Sequence, residues 1–176
     1  DQFCQPVDTG LLSGYFEPVS RAEDADAAVV MIESPLTNGG YENDSYVPIS
    51  LQYRPYQAVS ARKTSIAGSG WRPDDRNRSY QGKTVYIANE EDLDLVIETK
   101  KAMKDKPVIV CVAMHNPTVC SEFEPYADAI VADFGVSRQA LLDLLTGTSP
   151  FKGRLPIQLP QEMETVERHL EDVAFD

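Results

Sequence analysis

Three carboxylates stand close together early in the chain, in Glu33-Ser34-Pro35-Leu36-Thr37-Asn38-Gly39-Gly40-Tyr41-Glu42-Asn43-Asp44. A carboxylic acid beside a flexible glycine pair can be brought to a substrate and exchange a proton with it. The plainer reading of the same composition is a solvated surface loop. His115 directly follows an apolar run and Met114, a position that suits a functional group, although a satisfied structural histidine is the more ordinary role. The spacing Cys111-x3-His115-x4-Cys120 is not that of common zinc sites. Cys111 also lies inside the apolar run, so a small buried hydrophobe is expected there and no metal site. Arg72, Arg76 and Arg78 with Trp71 and Tyr80 could grip a sugar or an anion, against a solvated loop with one anchored aromatic. His169 lies in an acidic tail and is expected to be exposed.

These residues need elements to hold them. Ala27-Ala28-Val29-Val30-Met31-Ile32 and Val108-Ile109-Val110-Cys111-Val112 are continuous apolar runs rich in β-branched residues, the pattern of strands buried on both faces of a parallel sheet. Ala127–Phe134 supplies a third strand around Ala129-Ile130-Val131, and short strands are expected at Lys83–Ala88 and Leu155–Leu159. Asn89 reads as the N-cap of a helix with Glu90, Glu91 and Asp92 in its first turn, Leu93, Val96 and Ile97 on one stripe, and Lys100, Lys101 and Lys104 at its far end. Ser137 caps a second helix with Ala140, Leu141, Leu144 and Leu145 on one stripe and Gly147 at C′. Leu11–Phe16 reads as a short extended piece.

Strands alternating with helices in this way predict an α/β fold, a three-layer α/β/α sandwich with a mainly parallel sheet. The expected organisation is a leading arm or linker at 1–21, the sandwich at 22–160, and an acidic tail at 161–176. Residues 33–89 form an excursion rich in Pro, Gly and Asn, longer than an ordinary connection and therefore a place to expect function. In open α/β sheets ligands bind at the carboxyl ends of the strands, which again selects the loop after the first strand.

Composition narrows the classes. The chain has 176 residues, with 16 Lys and Arg against 28 Asp and Glu, a formal net charge of −12. Such a balance disfavours nucleic acid, which needs clustered cations, and an anionic membrane surface. The apolar runs are far shorter than the roughly 20 residues that span a bilayer. The chain is also short of the roughly 250 residues of a (β/α)8 barrel. Three cysteines, an odd count, fit a reducing compartment better than a disulfide framework, so the expected location is cytoplasmic. The opening Asp1-Gln2-Phe3-Cys4 carries no Met and no basic leader, as in a fragment or processed chain. Asn38-Gly39-Gly40 is no phosphate-binding fingerprint, and neither G-x-x-x-x-G-K nor G-x-S-x-G occurs, so a nucleotide-responsive domain and a serine hydrolase are both poorly supported.

Three stretches in order carry a family resemblance: Lys106-Pro107-Val108-Ile109-Val110-Cys111-Val112, then Ser121-Glu122-Phe123-Glu124-Pro125-Tyr126-Ala127-Asp128-Ala129-Ile130-Val131, then Gly153-Arg154-Leu155-Pro156-Ile157-Gln158-Leu159-Pro160. Over roughly Ala22 to Pro160 the sequence resembles the C-terminal α/β sandwich domain of family 3 glycoside hydrolases, the β-glucosidases, β-xylosidases and their relatives. The resemblance implies a retaining β-glycosidase acting on terminal non-reducing β-D-glycosyl residues of an oligosaccharide or β-glycoside. It implies a nucleophilic aspartate on a preceding (β/α)8 barrel of the same polypeptide, which would be this domain's partner. The acid/base glutamate would come from the loop after the first strand of the sandwich, about 5–5.5 Å from the nucleophile. No cofactor or metal is required by that chemistry.

Four departures qualify what is carried over. The barrel lies outside this sequence, so this chain alone is expected to be inactive. The position of the relatives' acid/base glutamate falls on Asn38 or Gly39, and neither can transfer a proton. Glu42 is then the first catalytic candidate, Glu33 the second and Asp44 the third, with Asn38, Tyr41 and Asp44 as candidates for contact with substrate. The stretch Phe134-Gly135-Val136-Ser137-Arg138-Gln139 replaces the family's usual Gly-Glu-Glu-Gly type, the 50–88 insertion is unlike the commonest members, and Tyr46-Val47-Pro48-Ile49-Ser50-Leu51-Gln52-Tyr53 marks a divergent subgroup. The rival expectation is a non-catalytic structural or carbohydrate-binding module that supports the barrel.

Overall fold

Side-chain alternation on three short strands divides the molecule into layers. The computed structural model of the chain describes residues 9–37, 49–64, 79 and 81–169. In chain order it contains α1 (Thr9–Leu12), a 3-10 turn at Ala22–Asp24, β1 (Ala28–Glu33), β2 (Tyr56–Gln57), β3 (Thr84–Val85) and α2 (Glu91–Met103). Then come β4 (Val108–Ala113), 3-10 turns at Cys120–Glu122 and Glu124–Tyr126, β5 (Ala129–Asp133), α3 (Arg138–Leu145) and α4 (Met163–Arg168).

β1, β4 and β5 form a parallel sheet in that order, with β4 central. Its register sets Glu33 beside Ala113 and Ala113 beside Asp133. Because side chains alternate across a sheet, Val30, Ile32, Val108, Val110 and Val112 fall on one face. There they meet Leu93, Val96 and Met103 of α2, together with Tyr53, Met114 and Phe123. The opposite face gathers Cys111, Val131 and Leu141 of α3, with Met31, Ile109 and Leu145 against them. One helix on each face of a mainly parallel sheet is the α/β architecture the apolar runs predict.

The helices end as their sequences require. The Ser137 side chain accepts from the Ala140 N–H at 3.2 Å, capping α3, and Gly147 follows its end with φ +76°. α2 carries Glu91, Asp92 and Asp94 in its first turn and Lys100 and Lys101 in its last, as the helix dipole favours. Beyond it, Lys106 Nζ donates to the carbonyls of Ala22, Glu23 and Ala25, tying the first 3-10 turn to the start of β4.

Four expectations are corrected. Asn89 does not cap α2: Glu90 holds the N-cap position with helical angles (φ −59°, ψ −30°), and the Asn89 amide is turned to other partners. Leu11–Phe16 is not extended. The Tyr15 and Phe16 N–H groups both donate to Leu12 O, closing a turn after α1, and the Tyr15 phenol docks on Asp143 of α3 at 2.7 Å. Leu155–Leu159 joins no ladder among the described residues, and a strand without a neighbour has nowhere to place its backbone groups except water. The Lys83–Ala88 strand shrinks to β3, paired antiparallel with β2, plus one bridge from Ile87 to Thr37. The acidic tail begins as α4, whose buried Met163 accepts the Leu51 N–H on its sulfur at 3.3 Å.

Candidate functional site

The last residue of an edge strand has backbone groups that no neighbouring strand can satisfy. Glu33 ends β1 and shows how this chain meets that demand. Its N–H donates to Asp92 Oδ2 at 3.0 Å, and its carbonyl accepts the Tyr53 phenol at 2.6 Å and Asn89 Nδ2 at 3.2 Å. The next residue, Ser34, is fully buried. Its N–H donates to Ala113 O, and its Oγ accepts from the N–H groups of His115 and, more weakly, Asn116, at 3.0 and 3.4 Å. Asn89 also donates to Ser34 O and accepts the Leu36 N–H at 2.8 Å, while the Ala88 N–H reaches Leu36 O at 2.7 Å. The path of the chain out of β1 is therefore held from both sides through Thr37.

The Glu33 side chain is 15% exposed, and His115 Nε2 lies 3.9 Å from its Oε2, with His115 36% exposed. This places a carboxylate and an imidazole at the carboxyl ends of adjacent strands, the usual address of a ligand in this architecture. At the neighbouring strand end, Asp133 Oδ1 accepts the N–H groups of Gly135 and Val136, at 2.8 and 2.9 Å. A cavity of about 260 Å³ opens there between Met31, Cys111, Asp133, Ser137 and Arg138. A smaller hollow of about 80 Å³ reaches His115.

Two carboxyls support the site from behind. The Glu122 carboxylate accepts the N–H groups of Tyr53 and Arg54, which seats the Tyr53 ring against Phe123 in an edge-on contact. Burial pushes the Glu122 carboxyl above its ordinary range despite those bonds. Burial likewise raises Asp92, against the Glu33 and Asn89 bonds that favour its charge. Arg54 then crosses to α2, pairing with Glu90 at 2.7 Å and with Asp94.

Of the residues selected from sequence, Glu33 and His115 are brought together. Glu42, Asn38, Tyr41 and Asp44 lie outside the described residues, as do Trp71, Arg72, Arg76, Arg78 and Tyr80. His169 is exposed. Cys111 is buried in β4, and among the described residues no group of three His, Cys, Asp or Glu could hold a metal. Sequence reasoning missed Tyr53, Asn89, Asp92 and Glu122 as parts of the site. The one available signal was that Asn89 and Asp92 open a helix whose start must face the strand ends.

A parallel sheet of β1, β4 and β5 with a helix on each face defines a three-layer α/β domain, with the Glu33 carboxylate at the end of its first strand. Residues 13–175 match the family model described as Glycosyl hydrolase family 3 C-terminal domain, and the chain belongs to that family. It is 40% identical over 84 residues to "Probable beta-glucosidase C" of Aspergillus flavus, covering 45% of this chain and 13% of that protein. It is 37% identical over 83 residues to "Beta-glucosidase C" of Emericella nidulans, with 44% and 13% covered. A "Periplasmic beta-glucosidase/beta-xylosidase" of Dickeya chrysanthemi is 27% identical over 100 residues, 57% of this chain and 15% of that protein. The chain thus spans only a small part of the length of the curated relatives it matches. No solved structure matches it.

Proposed function

We propose that this domain completes the active site of a retaining β-glycosidase of the β-glucosidase type, against a (β/α)8 barrel carried by the same polypeptide. The substrate is an oligosaccharide or β-glycoside, cleaved at its terminal non-reducing β-D-glucosyl residue. The barrel supplies the nucleophilic aspartate. This chain supplies the carboxyl that protonates the leaving oxygen and later activates water. Glu42 is the first candidate and Glu33 the second, with Asn38, Tyr41 and Asp44 contacting the sugar.

The observation that carries this reading is the exit of β1, with Glu33 at its last residue and the acidic loop directly downstream. A second domain covering that place would exclude water from it, the setting in which a carboxyl can serve as an acid. Phe134 and Val136, each 48% exposed beside the end of β5, offer apolar surface to such a cover. The beta-glucosidase names of the relatives support the substrate class. The second reading, a structural or carbohydrate-binding module without proton transfer, is favoured by Asn38 and Gly39, on one of which the family resemblance would place the glutamate.

The test is hydrolysis of a chromogenic β-glucoside by the polypeptide that joins this domain to its barrel, beside Glu42→Ala and Glu33→Ala. Loss of an acid/base costs about 10²- to 10⁴-fold. Azide should restore part of it by trapping the glycosyl-enzyme as a glycosyl azide. Normal activity in both variants would leave the domain its structural role.

A further inference from the structure

Among the described residues, one amide binds the exit of β1 at more points than any other side chain, and nothing in the proposed chemistry yet uses it. Asn89 Nδ2 faces Glu33 O at 3.2 Å, Ser34 O at 3.3 Å and Asp92 Oδ2 at 2.9 Å, while its Oδ1 accepts the Leu36 N–H at 2.8 Å. We propose that Asn89 is a positioning residue for catalysis: it fixes the main chain from Glu33 to Leu36 and so sets where the acid/base carboxyl of this domain is presented. This inference rests on the reading that the proton donor is carried on the exit of β1.

The chemistry of the amide fits the task. Asparagine offers two donor hydrogens and an acceptor on one rigid plane: one hydrogen goes to Asp92 Oδ2, the nearest acceptor, the other is shared between the carbonyls of Glu33 and Ser34, and Oδ1 takes the Leu36 N–H. A helix N-cap would have used only its oxygen, and α2 begins without that bond. The amide is itself fixed by Asp92, whose other bond, to the Glu33 N–H, closes a ring around the same residue. Asn89 is thereby tied to the first turn of α2, which is buried through Leu93 and Val96 against the sheet. The exit of β1 is referenced to a rigid helix, as a group that must meet a partner on a second domain requires.

A residue that places an acid has a kinetic signature that a merely stabilising residue lacks. Protonation matters for a poor leaving group and hardly at all for 2,4-dinitrophenolate, which departs unassisted. In the polypeptide that contains the domain and its barrel, Asn89→Ala should lower kcat/KM on cellobiose by roughly 10- to 100-fold, the size of an ångström-scale misplacement, and on 2,4-dinitrophenyl β-glucoside by less than about 3-fold. Asn89→Asp keeps an acceptor for Leu36 but no donor for the two carbonyls, and should show the same split. Glu33→Gln and Glu42→Gln measured beside them identify the acid as the variant with the larger version of that split. Adding Asn89→Ala to that variant should cost nothing further. Equal losses on both substrates, or full additivity in the double variant, would reduce Asn89 to a structural residue. If neither glutamate variant shows the split, the proton donor is not on this exit, and the underlying reading fails separately from the Asn89 measurement.

Discussion

The Tyr53 phenol donates to the main-chain carbonyl of Glu33 at 2.6 Å, joining a residue from the long excursion to the last residue of β1. Tyr53 is 0% exposed and packs edge-on against Phe123, ring centroids 6.1 Å apart. The two parts of that side chain should be separable. Tyr53→Phe removes one bond from a carbonyl that still accepts from Asn89, so it should cost about 1 kcal/mol. Tyr53→Ala also empties a core position and should cost about 3–5 kcal/mol. Urea unfolding of the two variants reads this from their midpoints at constant slope. Equal costs would mean that the ring contributes nothing and that the packing around Phe123 is misdescribed.

Glu122 makes a pH dependence of unusual sign. Its carboxyl is raised above the ordinary 4.5 by burial, so between that value and its folded value the native state holds more protons than the unfolded one. Stability contributed by this group is therefore fully present below about pH 4.5 and declines as pH rises through the folded value. The unfolding free energy of the native sequence minus that of Glu122→Gln should accordingly fall from pH 4 to pH 7, whatever its offset. Paired denaturation curves across that range measure it. A native-minus-variant difference that rises with pH would show that the bonds from Tyr53 and Arg54 outweigh the burial.

Why the strand that ends at Glu33 is legible in the sequence and the contacts that hold its exit are not follows from the distance along the chain over which each signal acts. The strands announce themselves in five or six consecutive apolar residues, and Ser137 with Gly147 in a window of eleven, because periodicity and caps are local. Asn89 carried a local signal that pointed to a helix cap, and a contact with residues 33–36, more than fifty positions earlier, outweighed it. Glu122 is 69 residues from Tyr53, and no pattern within either segment reports that bond. Leu155–Leu159 has a strand's composition, but composition cannot supply the neighbouring strand it needs.

The cap of α3 is a local device and should behave as one. Ser137→Ala removes the bond to Ala140 and should cost about 1 kcal/mol, whereas Ser137→Gly should cost only a few tenths. At the other end Gly147 has φ +76° with open space where a Cβ would sit, so Gly147→Ala should cost about 1 kcal/mol through backbone conformation alone. Thermal unfolding of the three variants checks the order. A loss for Ser137→Ala of no more than a few tenths would mean that the hydroxyl does not stabilise the start of α3.

Cys111 tests whether the face under α3 is closed in solution. Its thiol sits among Val131 and Leu141, and burial, aided by the Asp133 charge, pushes it up to about 11. At pH 8 only about one thiol in a thousand would then be ionised, against roughly a quarter for an unperturbed cysteine. Alkylation by iodoacetamide, followed at the Cys111 peptide by mass spectrometry, should run more than about 100-fold slower in the folded chain than in denaturant. Cys120, half-buried and raised less, should react at an intermediate rate. Cys111→Ala should be tolerated at about 1 kcal/mol, since it removes one small buried group. Folded and unfolded chains reacting at the same rate at Cys111 would mean that α3 opens readily. The cavity between Cys111, Asp133 and Arg138 would then be a passage into the sheet rather than a fixed hollow.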